Sequence, residues 1–224
     1  MSNYKIVISY DGTRYKGWQS QKSTDATIQG KLQDILKKTA GYPVEVIGSG
    51  RTDAGVHAKG QAANFHLKEQ ADERKLLETL NHYLPEDIAV LSLEEVEERF
   101  HSRFQAKEKT YMYRLYTSKI QDVFERKYVY TYTEPLHLEN MRKAAAYMTV
   151  TMDFTSFCAN KHMKKSAVRS VYAIDFQVTE KEIDIIYRGN GFLQNMVRIM
   201  TGTLLEVGMG KKKPEDIPMI LAAT

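Results

Sequence analysis

Gly48-Ser49-Gly50-Arg51-Thr52-Asp53-Ala54-Gly55-Val56-His57-Ala58 sets the organisation of the chain. Three glycines within eight residues free the backbone to turn and let a partner approach closely. One cation, Arg51, and one carboxylate, Asp53, stand among small residues, and no long apolar side chain marks the segment as core. A strand-like run, Val44-Glu45-Val46-Ile47, leads in and another, Gln61 to Leu67, leads out. The stretch therefore reads as a loop on the rim of a sheet, a common mount for reactive groups. Gly, Thr and Asp also mark an ordinary turn with an Asp cap, so the loop alone leaves both readings open.

Working outward, the first half reads β-α-β-β-α-β. Tyr4 to Tyr10 is β-branched and aromatic, and Asp11-Gly12 turns it. Thr13 to Thr24 is polar and irregular around Trp18. Thr24 or Asp25 caps a helix with Ile28, Leu32, Ile35 and Leu36 on one face, and Gly41-Tyr42-Pro43 stops it. After the loop and its two strands, Leu76, Leu77, Leu80 and Tyr83 form the buried stripe of a second helix, and Ile88 to Val96 alternates as a strand. Phe100 to Lys107 is a polar connection.

The second half repeats the order as far as β-α-β-β-α. Glu108 to Thr117 places Tyr111 and Tyr113 on one strand face, with Thr110, Met112 and Arg114 on the other. Tyr128 to Tyr132 fits a short strand, Leu138 to Met148 a helix, and Val168 to Tyr187 a hairpin turned at Glu180-Lys181. A helix spans Phe192 to Val207 with Leu193, Met196, Val197, Met200 and Leu204 as its stripe, and Pro214 to Ala223 forms another. If the halves are equivalent a closing strand is missing, which predicts C-terminal truncation. The expected fold is α+β: two similar halves, 1–100 and 108–224, forming a largely antiparallel sheet backed by helices.

With 224 residues, 42% hydrophobic and 27% charged, the chain can bury a core without metal or disulfide support. Cys158 is the single cysteine and cannot make an internal bridge, and no Cys/His cluster has zinc-ligand spacing. No apolar run is long enough for a membrane span, and Met1 to Lys5 runs into a strand rather than a signal peptide, which predicts a cytoplasmic protein. The net charge of +4 is only mildly basic, but cations mixed with 14 tyrosines suit nucleic acid, because Tyr offers a stacking face and a polar tip.

Three further segments can carry chemistry. Lys109-Thr110-Tyr111-Met112-Tyr113-Arg114 interleaves cations and phenols on a strand, as a half-buried sheet face also would. Gly189 to Arg198 runs from a glycine turn into an apolar helix, and Arg198 either snorkels outward or points inward to a carboxylate. Asn160 to Ser166 is a basic loop whose Lys161, Lys164 and Lys165 suit phosphates or plain solvent. His57, within the glycine loop, suits hydrogen-bonded scaffolding better than ligation. Neither a dinucleotide fingerprint nor a phosphate loop nor a nucleophile elbow is present.

Gly50-Arg51-Thr52-Asp53-Ala54-Gly55-Val56-His57-Ala58 resembles the signature of the tRNA pseudouridine synthase A family. Lys109-x-Tyr111-x-Tyr113 and Gly191-Phe192-Leu193 with Met196-Val197-Arg198 resemble its other two motifs, in the right order. The resemblance implies isomerisation of uridine to pseudouridine in the tRNA anticodon stem-loop, at U38, U39 and U40. It also implies a homodimer, an RNA cleft between the halves, and no cofactor or metal. Family members continue into a further segment with a final strand, in keeping with the closing strand expected above.

On this resemblance Asp53 is the catalytic carboxylate, which attacks C1′, adds to C6 or removes the C2′ proton. Tyr111 stacks on the target base, and an inward Arg198 keeps the carboxylate ionised. Arg51 supports the extruded nucleotide. Thr52, His57, Tyr113, Lys161, Lys164 and Lys165 join Arg51 in the substrate-binding set. The rival readings are a synthase acting on another RNA site, a non-catalytic RNA-binding module, and a carboxylate-dependent hydrolase, for which no second acid is identifiable.

Overall fold

A computed structural model describes residues 1–160 and 166–223. The chain divides into two compact units, Met1–Ala106 and Lys107–Thr224, each with its own sheet and apolar core. The fold is α+β, as the residue patterns predict.

In the first unit the order is β1 (Ser2–Tyr10), α1 (Ile28–Ala40), β2 (Val46–Gly48), β3 (Ala58–Leu67), α2 (Glu73–Tyr83) and β4 (Ile88–Val96). The strands form an antiparallel sheet in the order β2-β3-β1-β4. Alternation along β1 buries Tyr4, Ile6, Ile8 and Tyr10 with α1 residues Ile28, Leu32 and Leu36 and α2 residues Leu76 and Leu80. Two details differ from the sequence reading. The cap of α1 is Thr27, whose hydroxyl accepts from the Gly30 amide at 3.2 Å, because helical backbone begins only at Ile28. Tyr83 is 66% exposed, so the buried stripe of α2 ends at Leu80.

The opposite face of this sheet carries a buried polar relay. Asn3 and Asn64 lie on neighbouring strands, and Asn64 Nδ2 donates to Asn3 Oδ1 at 3.0 Å. Asn3 donates to the carbonyls of Glu97 at 3.1 Å and Phe100 at 2.8 Å. The Ser102 amide donates to Asn64 Oδ1 at 3.0 Å, and its hydroxyl to the Ile47 carbonyl at 2.6 Å. These bonds fasten the segment after β4 onto β1, β2 and β3. No isolated helix or strand pattern reveals them.

The second unit contains β5 (Lys109–Tyr116), β6 (Tyr130–Thr131), α3 (Leu138–Met148), β7 (Thr151–Asp153), β8 (Val168–Val178), β9 (Glu182–Gly189), α4 (Met196–Gly208) and α5 (Ile217–Ala222). Its sheet order is β6-β5-β9-β8-β7. The central β8-β9-β5 repeats the β2-β3-β1 arrangement of the first unit. Where β4 flanks β1 along its length, β5 has β6 pairing in parallel at Leu115 and Tyr116. Among the described residues no strand lies beside Lys109–Arg114 on that side.

Met141, Ala144, Ala145 and Met148 of α3 pack with Met200 and Leu204 of α4, as their spacing predicts. Helix α4 starts later than the stripe suggests. Asn195 adopts a left-handed conformation at φ 57°, so residues before Met196 are not helical. Leu193 is nevertheless buried. The short β7 has no clear sequence signal.

Removing the Asn64 side chain takes away the donor to Asn3 Oδ1 and the acceptor of the Ser102 amide in a buried setting. We predict that Asn64→Ala lowers unfolding stability by about 1–3 kcal/mol, read from the urea midpoint at unchanged slope. Wild-type stability in that variant contradicts the relay.

Candidate active site

The glycine-rich loop joins β2 to β3 at the rim of the first sheet, as its flanking strands predict. It is not a free excursion. It lies backbone to backbone against the segment that follows β1. The Trp18 amide donates to the Thr52 carbonyl at 3.0 Å, the Gly55 amide to the Tyr15 carbonyl at 3.2 Å, and the Val56 amide to the Asp53 carbonyl at 3.2 Å. A methyl group at Gly12 would overlap the Val56 carbonyl, and one at Gly17 would stand 2.7 Å from the Thr52 oxygen. Gly17 also sits at φ +100°, a region L side chains rarely adopt. Two glycines outside the loop thus permit the approach that holds it.

Side chains finish the clamp. The Tyr10 hydroxyl lies 2.8 Å from Thr52 Oγ1 and donates to Gln61 Oε1 at 2.7 Å, while Gln61 Nε2 donates to the Gly50 carbonyl at 3.1 Å. His57 Nδ1 is 3.1 Å from the Gly12 amide and 3.0 Å from Asp11 Oδ1. It accepts from the amide when its Nδ1 is unprotonated and pairs with the carboxylate when protonated. His57 therefore scaffolds the loop base. Tyr15 donates to Asp87 Oδ1 at 2.6 Å, and burial with this acidic partner pushes its phenol well above the ordinary range. Arg14 makes two bonds to the same Asp87, at 2.7 and 2.9 Å, so the segment under the loop is tied to the chain just before β4.

Asp53 and Thr52 are half-buried on this support, and Arg51 is exposed beside them. The loop thereby brings together Arg51, Thr52, Asp53 and His57. Tyr10, Gly12, Gly17 and Gln61 carry no sequence signal for this bracing role. They lie remote along the chain from the groups they brace, so only strand register reveals them.

The other candidate residues belong to the second unit. Tyr111 is half-buried on β5 opposite Tyr187, with its ring edge-on to Phe192 at 5.3 Å. Tyr187 is fully buried and shares a 2.7 Å hydrogen bond with Thr201 Oγ1, and burial raises its phenol. Tyr113 is raised by burial, which the positive charge of Arg198 opposes. Arg198 does not point inward as the resemblance implies: it lies on α4 away from the buried stripe of Met196, Met200 and Leu204, and it is exposed. Arg114 is committed to carboxylates, at 2.6 Å from Glu125 and 2.8 Å from Glu182, with Asp184 at 3.7 Å. Lys161, Lys164 and Lys165 lie outside the described residues. Among the described residues no group of three His, Cys, Asp or Glu side chains is placed to hold a metal ion. No helix there is long and apolar enough to cross a membrane.

Fold and loop define an α+β protein that mounts one carboxylate on a braced glycine-rich rim. A family model described as tRNA pseudouridine synthase matches residues 6–105 and 144–224. A tRNA pseudouridine synthase A from Bacillus sp. (strain KSM-64) is 48% identical over 221 residues, spanning 99% of this chain and 91% of that protein. A tRNA pseudouridine synthase A 2 from Bacillus anthracis is 44% identical over 223 residues, spanning 100% of this chain and 91% of that protein. A tRNA pseudouridine synthase A 1 from Clostridium tetani is 46% identical over 221 residues, spanning 99% and 90%. The chain belongs to the tRNA pseudouridine synthase family, a family of isomerases.

The clamp makes a direct prediction. Gly17→Ala forces a side chain into the Thr52 carbonyl at an unfavourable φ, and we expect it to lower turnover by at least roughly tenfold, the scale on which small misplacements of a reacting group act. Steady-state kinetics on the folded variant checks this; unchanged turnover contradicts it.

Proposed function

We propose that this protein converts uridine to pseudouridine in tRNA, at U38, U39 and U40 of the anticodon stem-loop, with Asp53 as the reacting carboxylate. The observation that carries the reading is Asp53 itself, held within the family signature on a loop braced from three directions. The N1–C1′ bond breaks, the uracil turns, and C5 bonds to C1′. The C5 proton leaves to solvent and N1 takes one up, so the reaction is balanced without an external reactant. An ionised carboxylate serves as nucleophile toward C1′ or C6, or as base toward the C2′ proton. Braced backbone keeps it in place while the base turns.

The remaining residues take roles consistent with their chemistry. Tyr111, supported edge-on by Phe192, presents an aromatic face to the target base. A phenol with a pKa near ~10 is a poor base at neutral pH, which favours stacking over proton transfer. Arg198, exposed on α4, supplies positive charge to the reaction. Arg51, exposed beside Asp53, occupies the space or contacts the phosphate of the extruded nucleotide. Thr52, His57 and Tyr113 order these groups, and Lys161, Lys164 and Lys165 contact the RNA backbone. Residues 1–100 carry the carboxylate and residues 108–224 the phenols and guanidinium. Family membership supports a cytoplasmic homodimer.

Tritium release from tRNA labelled at uridine C5 tests the carboxylate. Asp53→Asn is expected to bring release to background while tRNA still binds; release at the wild-type rate overturns the assignment. Mapping the product by carbodiimide-dependent reverse-transcription stops should place it at U38, U39 and U40, and stops elsewhere would assign another RNA site.

Replacing Lys161, Lys164 and Lys165 together by Ala should flatten the plot of log affinity against log salt by about 2–3 units, the effect of losing three phosphate contacts. An unchanged slope removes them from the RNA interface.

A further inference from the structure

The turn after β4 holds an aromatic ring out to solvent on a rigid base. Phe104 is 80% exposed, yet it stacks on His101 with ring centres 4.0 Å apart and planes 29° from parallel. His101 fixes the turn from both ends. Its carbonyl accepts from the Phe104 and Gln105 amides at 3.1 and 3.0 Å. Its Nδ1 accepts from the Arg103 and Phe104 amides at 3.2 and 3.3 Å. The Gln105 carboxamide accepts from the His101 amide at 3.2 Å. Between the two rings in sequence, buried Ser102 is bonded to Asn64 of β3 and to Ile47 of β2. Ile47 closely precedes the glycine-rich loop, so the exposed ring and the reacting carboxylate stand on the same two strands.

Exposed apolar rings are usually explained by a wider apolar patch. Here Arg103, next to the ring in the chain, and Arg99, five residues before it, are exposed cations, and Glu97 and Glu98 are exposed carboxylates of the same segment. The Glu98 carboxylate is turned toward the amino terminus at 3.8 Å. An exposed, prestacked ring accompanied by guanidinium groups is the pattern that receives a nucleobase on its face and phosphates on its flanks. Preorganisation is the energetic argument: the ring and backbone are already ordered, so stacking incurs little further loss of entropy.

We propose that Phe104, backed by His101, is a stacking platform for an unpaired base of the RNA substrate, with Arg99 and Arg103 meeting the adjoining phosphates. It rests on the tRNA reading above. Phe104 is a substrate-positioning residue on this account, and its loss acts on binding before chemistry.

The test compares Phe104→Ala, Phe104→Leu and Phe104→Trp in the full chain, using an unmodified tRNA transcript. Ala and Leu should weaken tRNA binding roughly tenfold, equivalent to about 1.4 kcal/mol, with the single-turnover rate at saturating tRNA within about twofold of wild type. Trp should restore affinity, and its emission should be quenched by tRNA beyond any change in the Trp18 background. Melting temperatures should match wild type, since the ring is exposed. Wild-type affinity in Phe104→Ala overturns the platform while leaving the tRNA reading intact, because the wild-type chain still binds and turns over. Full affinity in Phe104→Leu, or an affinity loss that tracks loss of a dimer in sedimentation, also overturns it, the latter assigning the ring to self-association. A wild-type chain that neither binds nor modifies the transcript overturns both readings.

Discussion

Direct contact between two pieces of backbone governs the candidate site. The segment from Gly12 to Trp18 and the loop from Thr52 to Val56 approach so closely that a methyl group cannot enter at Gly12 or Gly17. Main-chain hydrogen bonds from Trp18 and Gly55 then satisfy polar groups that the approach removes from water. The backbone that carries the carboxylate is thus fixed by main-chain contacts on both sides of Asp53. That suits a reaction in which a base leaves, turns and bonds again, because the reacting group must stay in place through the sequence.

Most of the polar groups that brace the loop are engaged within the first unit. Tyr10, Gln61, Tyr15, Asp87 and the Asn3–Asn64–Ser102 relay form bonds within the first unit. Arg114 looks available from the strand pattern, but Glu125 and Glu182 engage it. Arg51 and Arg198 remain exposed, on the loop and on α4 respectively. A cation already neutralised by carboxylates gains little from a phosphate, so Arg114 is a weaker candidate for an RNA contact than Arg51 or Arg198.

Much of the architecture is legible in the residue order because local signals agree. Leu138 to Met148 is bounded and faced as its Met/Ala spacing predicts, and the hairpin of β8 and β9 turns at Glu180-Lys181. Errors occur where a nearby alternative satisfies the same rule: Thr24, Asp25 and Thr27 can each cap a helix, and only Thr27 is followed by helical backbone. Tyr83 fits the helical period but is left exposed. Asp53 is conspicuous from its glycine-rich setting. Its supports are not, because Gly12, Gly17 and Gln61 have ordinary local roles and acquire their meaning through register. The left-handed Asn195 likewise hides within an apolar stripe that continues through it.

Amide hydrogen exchange at Trp18 and Gly55 in the free protein tests the central claim most directly. Their hydrogens bond across the backbone contact to the carbonyls of Thr52 and Tyr15. If the loop is held as described, both amides exchange as slowly as those of β1 and are released together with the sheet. Exchange at the rate of an unstructured peptide, while β1 stays protected, would show that the loop is not clamped and would contradict this account of how Asp53 is positioned.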